Sequence, residues 1–174
     1  MGKSVIGQWT RRLLFAGLLV LPQVAVAQTD FPKASAPVDA KAASKAACSV
    51  RVIHATATGS EFDARLEPLR PQLKGQAFQS FSRFSLIKQH ELSIAGGSAQ
   101  NFEVPGDHQG VLSYEGRADA GGKQRLRLRL EIQDGAAKLL STKFVINDGG
   151  TVMQAGLKYD KGVLVLGITC RIAS

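Results

Sequence analysis

Gln124-Arg125-Leu126-Arg127-Leu128-Arg129-Leu130-Glu131-Ile132 alternates polar and apolar residues without a break. Successive side chains of a strand point to opposite faces, so a period of two reads as a β-strand with one face buried. Leu126, Leu128, Leu130 and Ile132 then face a core. Arg125, Arg127 and Arg129 stand together on the other side, with same-face neighbours about 7 Å apart along the strand.

The same pattern extends in both directions. Cys48, Val50 and Val52 face one way and Arg51 the other, which opens a first strand. Further strands are read at about 78–94, 99–104, 109–118, 124–133, 137–146, 150–157 and 162–172. The breaks between them carry turn chemistry: Gly96-Gly97, Pro105-Gly106-Asp107, Gly121-Gly122, Asp134-Gly135, Asp148-Gly149-Gly150 and Asp160-Lys161-Gly162. Short strands at such spacing predict an all-β fold, an antiparallel β-sandwich of about eight strands. One short helix is expected within Phe62–Lys74, where Leu66, Leu69 and Leu73 follow helical spacing. Pro68 and Pro71 shorten or break it, because proline lacks the N–H that a helix interior needs. Its expected role is to plug an open end of the sandwich.

Pairing parity extends the arginine row to its neighbours. With Leu112 and Tyr114 inward, a three-residue loop at Ala120–Gly122 sets Glu115 against Arg127 and Asp119 against Lys123. A bulged turn at Asp134-Gly135 sets Leu126 against Phe144 and Leu128 against Thr142, with Lys143 beside Arg127. Arg125, Arg127, Arg129 and Lys143 therefore form a candidate binding face, on which basic charge exceeds that of Glu115 and Glu131. Arginine forks suit phosphate and carboxylate. The plainer reading is a solvated face, whose cross-strand ion pairs contribute at most about 1 kcal/mol each.

Residues 1–27 have the form of a cleavable export signal. Lys3, Arg11 and Arg12 precede an apolar run, Leu13–Val20, and Ala25-Val26-Ala27 supplies the small-x-small cleavage pattern. Cleavage after Ala27 starts the mature chain at Gln28. Thr10-Arg11-Arg12-Leu13-Leu14-Phe15 also resembles a twin-arginine signal. Both routes lead to a periplasmic or secreted protein, without a transmembrane span once the signal is removed. Residues 28–47 are rich in Ala, Ser, Lys and Pro and read as a flexible tether. Residues 48–174 are the folded domain.

Removing the signal takes three basic residues and no acid from a chain of net charge +8, which leaves +5. A basic exported protein is drawn to anionic partners, an envelope protein or an anionic polymer, and its compartment disfavours nucleic acid. The two cysteines, Cys48 and Cys170, lie at opposite ends of the folded region. Oxidation is permitted there, so a disulfide between the terminal strands is expected. Lipid attachment at Cys48 fits poorly, since Lys45-Ala46-Ala47-Cys48 has no aliphatic residue of the lipobox kind.

Nothing points to catalysis or to a cofactor. His54, His90 and His108 have no metal-ligand spacing, and neither a calcium-loop pattern nor a nucleophile-elbow pattern occurs. His54, Ser60 and Asp63 are close in sequence, but a strand-to-loop segment gives them no reason to converge. His54 is read as ending the first strand with a satisfied hydrogen bond.

Val52-Ile53-His54-Ala55, Asp63-Ala64-Arg65-Leu66-Glu67-Pro68-Leu69 and Asp148-Gly149-Gly150-Thr151-Val152 resemble an uncharacterised group of small exported bacterial β-domain proteins. That resemblance spans most of residues 48–172 and implies no particular activity. Phe144–Ile172 is locally similar to the closing strands of secretins, though the chain is too short to build their barrel. The expectation is a non-enzymatic binding or accessory module of the bacterial cell envelope. The alternative is a carrier of a small apolar ligand held between the sheets, with Phe78, Phe81 and Phe84 near the mouth.

Overall fold

β1 (Lys45–Thr56) and β8 (Gly162–Ala173) lie side by side at the centre of a four-stranded antiparallel sheet, flanked by β2 (Arg83–Ala95) and β7 (Thr151–Tyr159). The second sheet is formed in chain order by β3 (Ser98–Val104), β4 (His108–Ala120), β5 (Lys123–Asp134) and β6 (Ala137–Asn147). This computed structural model describes residues 44–173, apart from the side chains of Asp119 and Ala120. The signal expected at 1–27 and the tether through residue 43 lie outside the described residues. The chain changes sheet twice, at Gly96-Gly97 and at Asp148–Gly150, so each crossing joins two edge strands.

The expected all-β sandwich is present, and alternation explains its core. Ala46, Cys48, Val50 and Val52 of β1 meet Leu164, Leu166, Ile168 and Cys170 of β8 on the inner face of the first sheet. Leu112 and Tyr114 of β4 and Leu126, Leu128, Leu130 and Ile132 of β5 supply the facing layer. Each leucine wholly removed from water contributes about 1.5–3 kcal/mol. β1 begins at Lys45, three residues before the boundary read from composition.

Cys48 and Cys170 are joined by a disulfide. The Cys170 N–H and C=O both bond the Asp148–Gly150 connection, donating to Gly150 and accepting from Gly149. They therefore point away from β1. The two cysteines thus hold a non-hydrogen-bonded position of the ladder, where opposing residues come closest, here 4.1 Å between Cα atoms.

The segment between β1 and β2 covers a face instead of plugging an end. It forms a 3-10 turn at Ala64–Leu69 and a single helical turn, α1 (Arg70–Leu73). Pro71 stands at the start of α1, where its missing N–H has no role. Leu66, Leu69, Leu73 and Phe78 pack on Ile53, Ala55, Phe84, Leu86 and Val165. On β1 and β8 those positions are the odd residues, which point away from the inter-sheet core. A second apolar cluster thus lies on the outer face of the first sheet. Phe78 and Phe84 are buried in it with Phe81 at its rim, so none of the three marks a mouth between the sheets. β2 starts only at Arg83, and Phe78 belongs to a short 3-10 turn ahead of it.

Candidate binding face

β5 presents Arg125, Arg127, Arg129 and Glu131 on the outer face of the second sheet, opposite its buried row. The neighbours across the ladders differ from those expected. Gly121 and Gly122 both have positive φ (61° and 76°) and make a two-residue hairpin turn, so Ala120 pairs with Lys123 and Asp119 with Gln124. Parity is restored by a bulge at Glu115, next to Gly116 at φ 120°. Arg127 is consequently set against Gly116, and the Glu115 carboxylate turns to Arg129.

On the other side, the tight turn lies at Gly135-Ala136 and the bulge falls at Leu139 of β6. Leu126 is therefore opposite Ile146, Leu128 opposite Phe144 and Leu130 opposite Thr142. Lys143 sits beside Arg129, not beside Arg127. The expected faces are kept while the register moves by two residues.

This register divides the basic row into two parts. Arg129 donates from Nε and Nη2 to Glu115 Oε1 at 3.0 and 2.8 Å, and Lys143 Nζ lies 3.7 Å from the same oxygen. The bond from Arg129, supported by the fields of Lys143, Arg129 and Arg127, holds the Glu115 carboxyl below the ordinary glutamate range. Glu131 accepts from Lys138 and Ser141 at 2.8 and 3.1 Å, which lowers its carboxyl as well. Both acids are thereby engaged. Among the described side chains, Arg125 and Arg127 form no ion pair, and the Arg125 Nε is buried without a hydrogen-bond partner. The four residues read from the sequence do share one face, but only two of them offer uncommitted charge.

Two concavities are not signalled in the sequence. A polar one of about 340 Å³ at the far end of the first sheet is lined by His54, Thr56, Thr58, Arg83, Ser85, Asp160 and Lys161. The His54 ring meets Tyr159 edge-on, and its Nε2 is buried without a partner, contrary to the satisfied bond expected. β1 also continues past it to Thr56. Among the described hydrogen bonds none joins His54 to Ser60 or Asp63. Asp63 is instead held by Arg65 and by the Leu86 N–H. The second concavity is an apolar slot of about 100 Å³ between the edges of β6 and β7, lined by Leu139, Leu140, Ala155, Gly156, Leu157 and the β8 leucines. It is well below the 300–1,000 Å³ usual for a ligand site.

Among the described residues no group of three or more metal-ligating side chains converges, and no helix is long and apolar enough to cross a membrane. No known protein family, curated protein or solved structure matches the chain.

Proposed function

We propose that this chain is an exported, non-enzymatic binding or accessory module of the bacterial cell envelope, working in the periplasm or outside the cell. It docks an anionic partner on the outer face of its second sheet. The observation that carries this reading is the pair Arg125 and Arg127, adjacent on one face and without an acidic partner among the described side chains. Arg129 and Lys143 support the field while remaining tied to Glu115. The disulfide fits an oxidising compartment, as does the signal-like start of the chain. An apolar-ligand carrier has less support, because the space between the sheets is filled by side chains and the apolar slot between β6 and β7 is small.

The test is crosslinked capture from envelope fractions with the wild-type protein and with Arg125→Glu/Arg127→Glu. Loss of a captured partner in the variant, with an unchanged melting temperature, supports the docking face. Equal capture by both proteins overturns it.

A further inference from the structure

The arginine pair stands beside an open sheet edge, and the two features select the same kind of ligand. β6 closes the order of the second sheet, and no strand among the described residues pairs with its far side. The phase of its backbone follows from one bond. The Asp148 N–H donates to Gln124 O at 3.0 Å, so beyond the bulge, from Leu140 onward, residues of even number along β6 bond to β5. Ser141, Lys143 and Val145 therefore direct their N–H and C=O groups to the open side.

The side chains alternate with that edge. Lys143, Val145 and Asn147 lie on the outer face, beside Arg129, Arg127 and Arg125 respectively. Val145 is 52 % exposed and too short to screen Arg127 from anything placed beyond it. A strand added to β6 would lie about 10 Å from β5, twice the inter-strand spacing. An extended arginine and a glutamate close that distance between them. On the inner face, Leu140 and Phe144 are only half-buried, and the apolar slot between β6 and β7 opens beside Leu139 and Leu140. An inward apolar side chain of the added strand would enter it.

We infer that β6 accepts an extended segment of a partner protein as a fifth strand, one whose side chains alternate acidic outward and apolar inward. This rests on the reading of the outer face as a docking surface. Backbone pairing at an edge supplies attachment, and alternate side chains supply selectivity. A phosphate polymer would satisfy the arginines but would leave the edge amides and the slot unmatched. A second copy of this chain paired through β6 would bring Lys143 and the β5 arginines of both copies onto one outer face, with Ser141, Val145 and Asn147 of β6 offering no acid to meet them.

The probes are a nine-residue capped peptide alternating Val and Glu, a block isomer of the same composition, and inorganic polyphosphate. Each is titrated into the oxidised, isotope-labelled protein while amide shifts and hydrogen exchange are followed. The alternating peptide is expected to bind about tenfold or more tighter than the block isomer, and charge reversal at Arg125 and Arg127 to remove about tenfold of that affinity. The Lys143 and Val145 amides should become protected from exchange. A Val145→Pro variant, which removes an edge N–H outside the β5–β6 ladder, should lose the peptide and keep polyphosphate. N-methylation of the peptide backbone makes the same test from the ligand side.

Equal binding of the two isomers without amide protection overturns strand addition. Binding of polyphosphate alone, at Arg125 and Arg127, also overturns it while leaving the docking face standing. If no probe binds, both readings fall.

Discussion

The ring of Phe102 on β3 lies directly across Gly110, its ladder partner on β4. A Cβ built on Gly110 would fall 2.2 Å from the ring's Cζ atom, well inside contact distance. The glycine is therefore the floor on which a buried aromatic rests, and the His90 ring is tilted against it, 5.5 Å away between centroids. Gly110→Ala should cost about 1–3 kcal/mol through overpacking. Urea unfolding measures the cost. Adding Phe102→Leu, which vacates the contested space, should recover part of it, whereas strictly additive losses would separate the two sites.

The disulfide closes a loop between residues 122 positions apart. Chain entropy gives such a link about 4–5 kcal/mol, an upper figure for real proteins. Replacing both cysteines by alanine should lower unfolding free energy by about 2–5 kcal/mol. Adding reductant to the wild type should approach the same value.

The cover over the outer face can be loosened separately. Leu73 is fully buried on that face and contributes nothing to the inter-sheet core. Leu73→Ala should cost about 2–5 kcal/mol, as for other buried large-to-small changes. Hydrogen exchange should rise first in residues 62–81, before the ladders of the second sheet. A uniform rise in both sheets would show that the cover and the sandwich open as one unit.

Asp63 contributes to the acid side of stability, alongside the lowered carboxyls of Glu115 and Glu131. Its carboxylate accepts from the Arg65 side chain, the Arg65 N–H and the Leu86 N–H, and these bonds drive its pKa far below the ordinary 3.8. A depressed carboxyl stabilises the fold above its unfolded pKa and loses that contribution as pH falls through the folded one. Stability should therefore be level in this respect near neutrality and decline from about pH 4 downward. Asp63→Asn should be less stable at pH 7 and show a shallower decline in acid. An unchanged acid limb would remove Asp63 from the account.

How far the fold could be read from sequence depends on where parity holds. Leu126–Ile132 and Leu164–Cys170 keep one phase throughout, and their faces are as alternation predicts. β2 hides a change of face. Phe84 and Leu86 pack outward under the cover, Leu92 and Ile94 pack inward, and all four are even-numbered. The extra residue, Ile87, absorbs the switch without leaving a mark in the pattern. Gly116 did mark the bulge beside Glu115, since a glycine within a strand is a bulge signal. Leu139 carries no such mark. The identity of the uncommitted arginines was legible only in outline, because ion-pair partners follow from register, and an offset of two residues between β5 and β6 moves Lys143 from Arg127 to Arg129.

Lys45 pairs with Ala173, so the chain enters and leaves this sandwich at the same end of one strand pair. Tension between the two ends would act as on a zipper, parting β1 from β8 pair by pair instead of loading the whole ladder at once. Only Lys45–Ala173, Ala46–Ile172 and Ala47–Arg171 precede the bond between Cys48 and Cys170. Peeling stops there, and the pull passes through the sulfur atoms, bypassing everything folded between them. While oxidised, the domain is an almost inextensible link; once reduced, the same pull would reach the core.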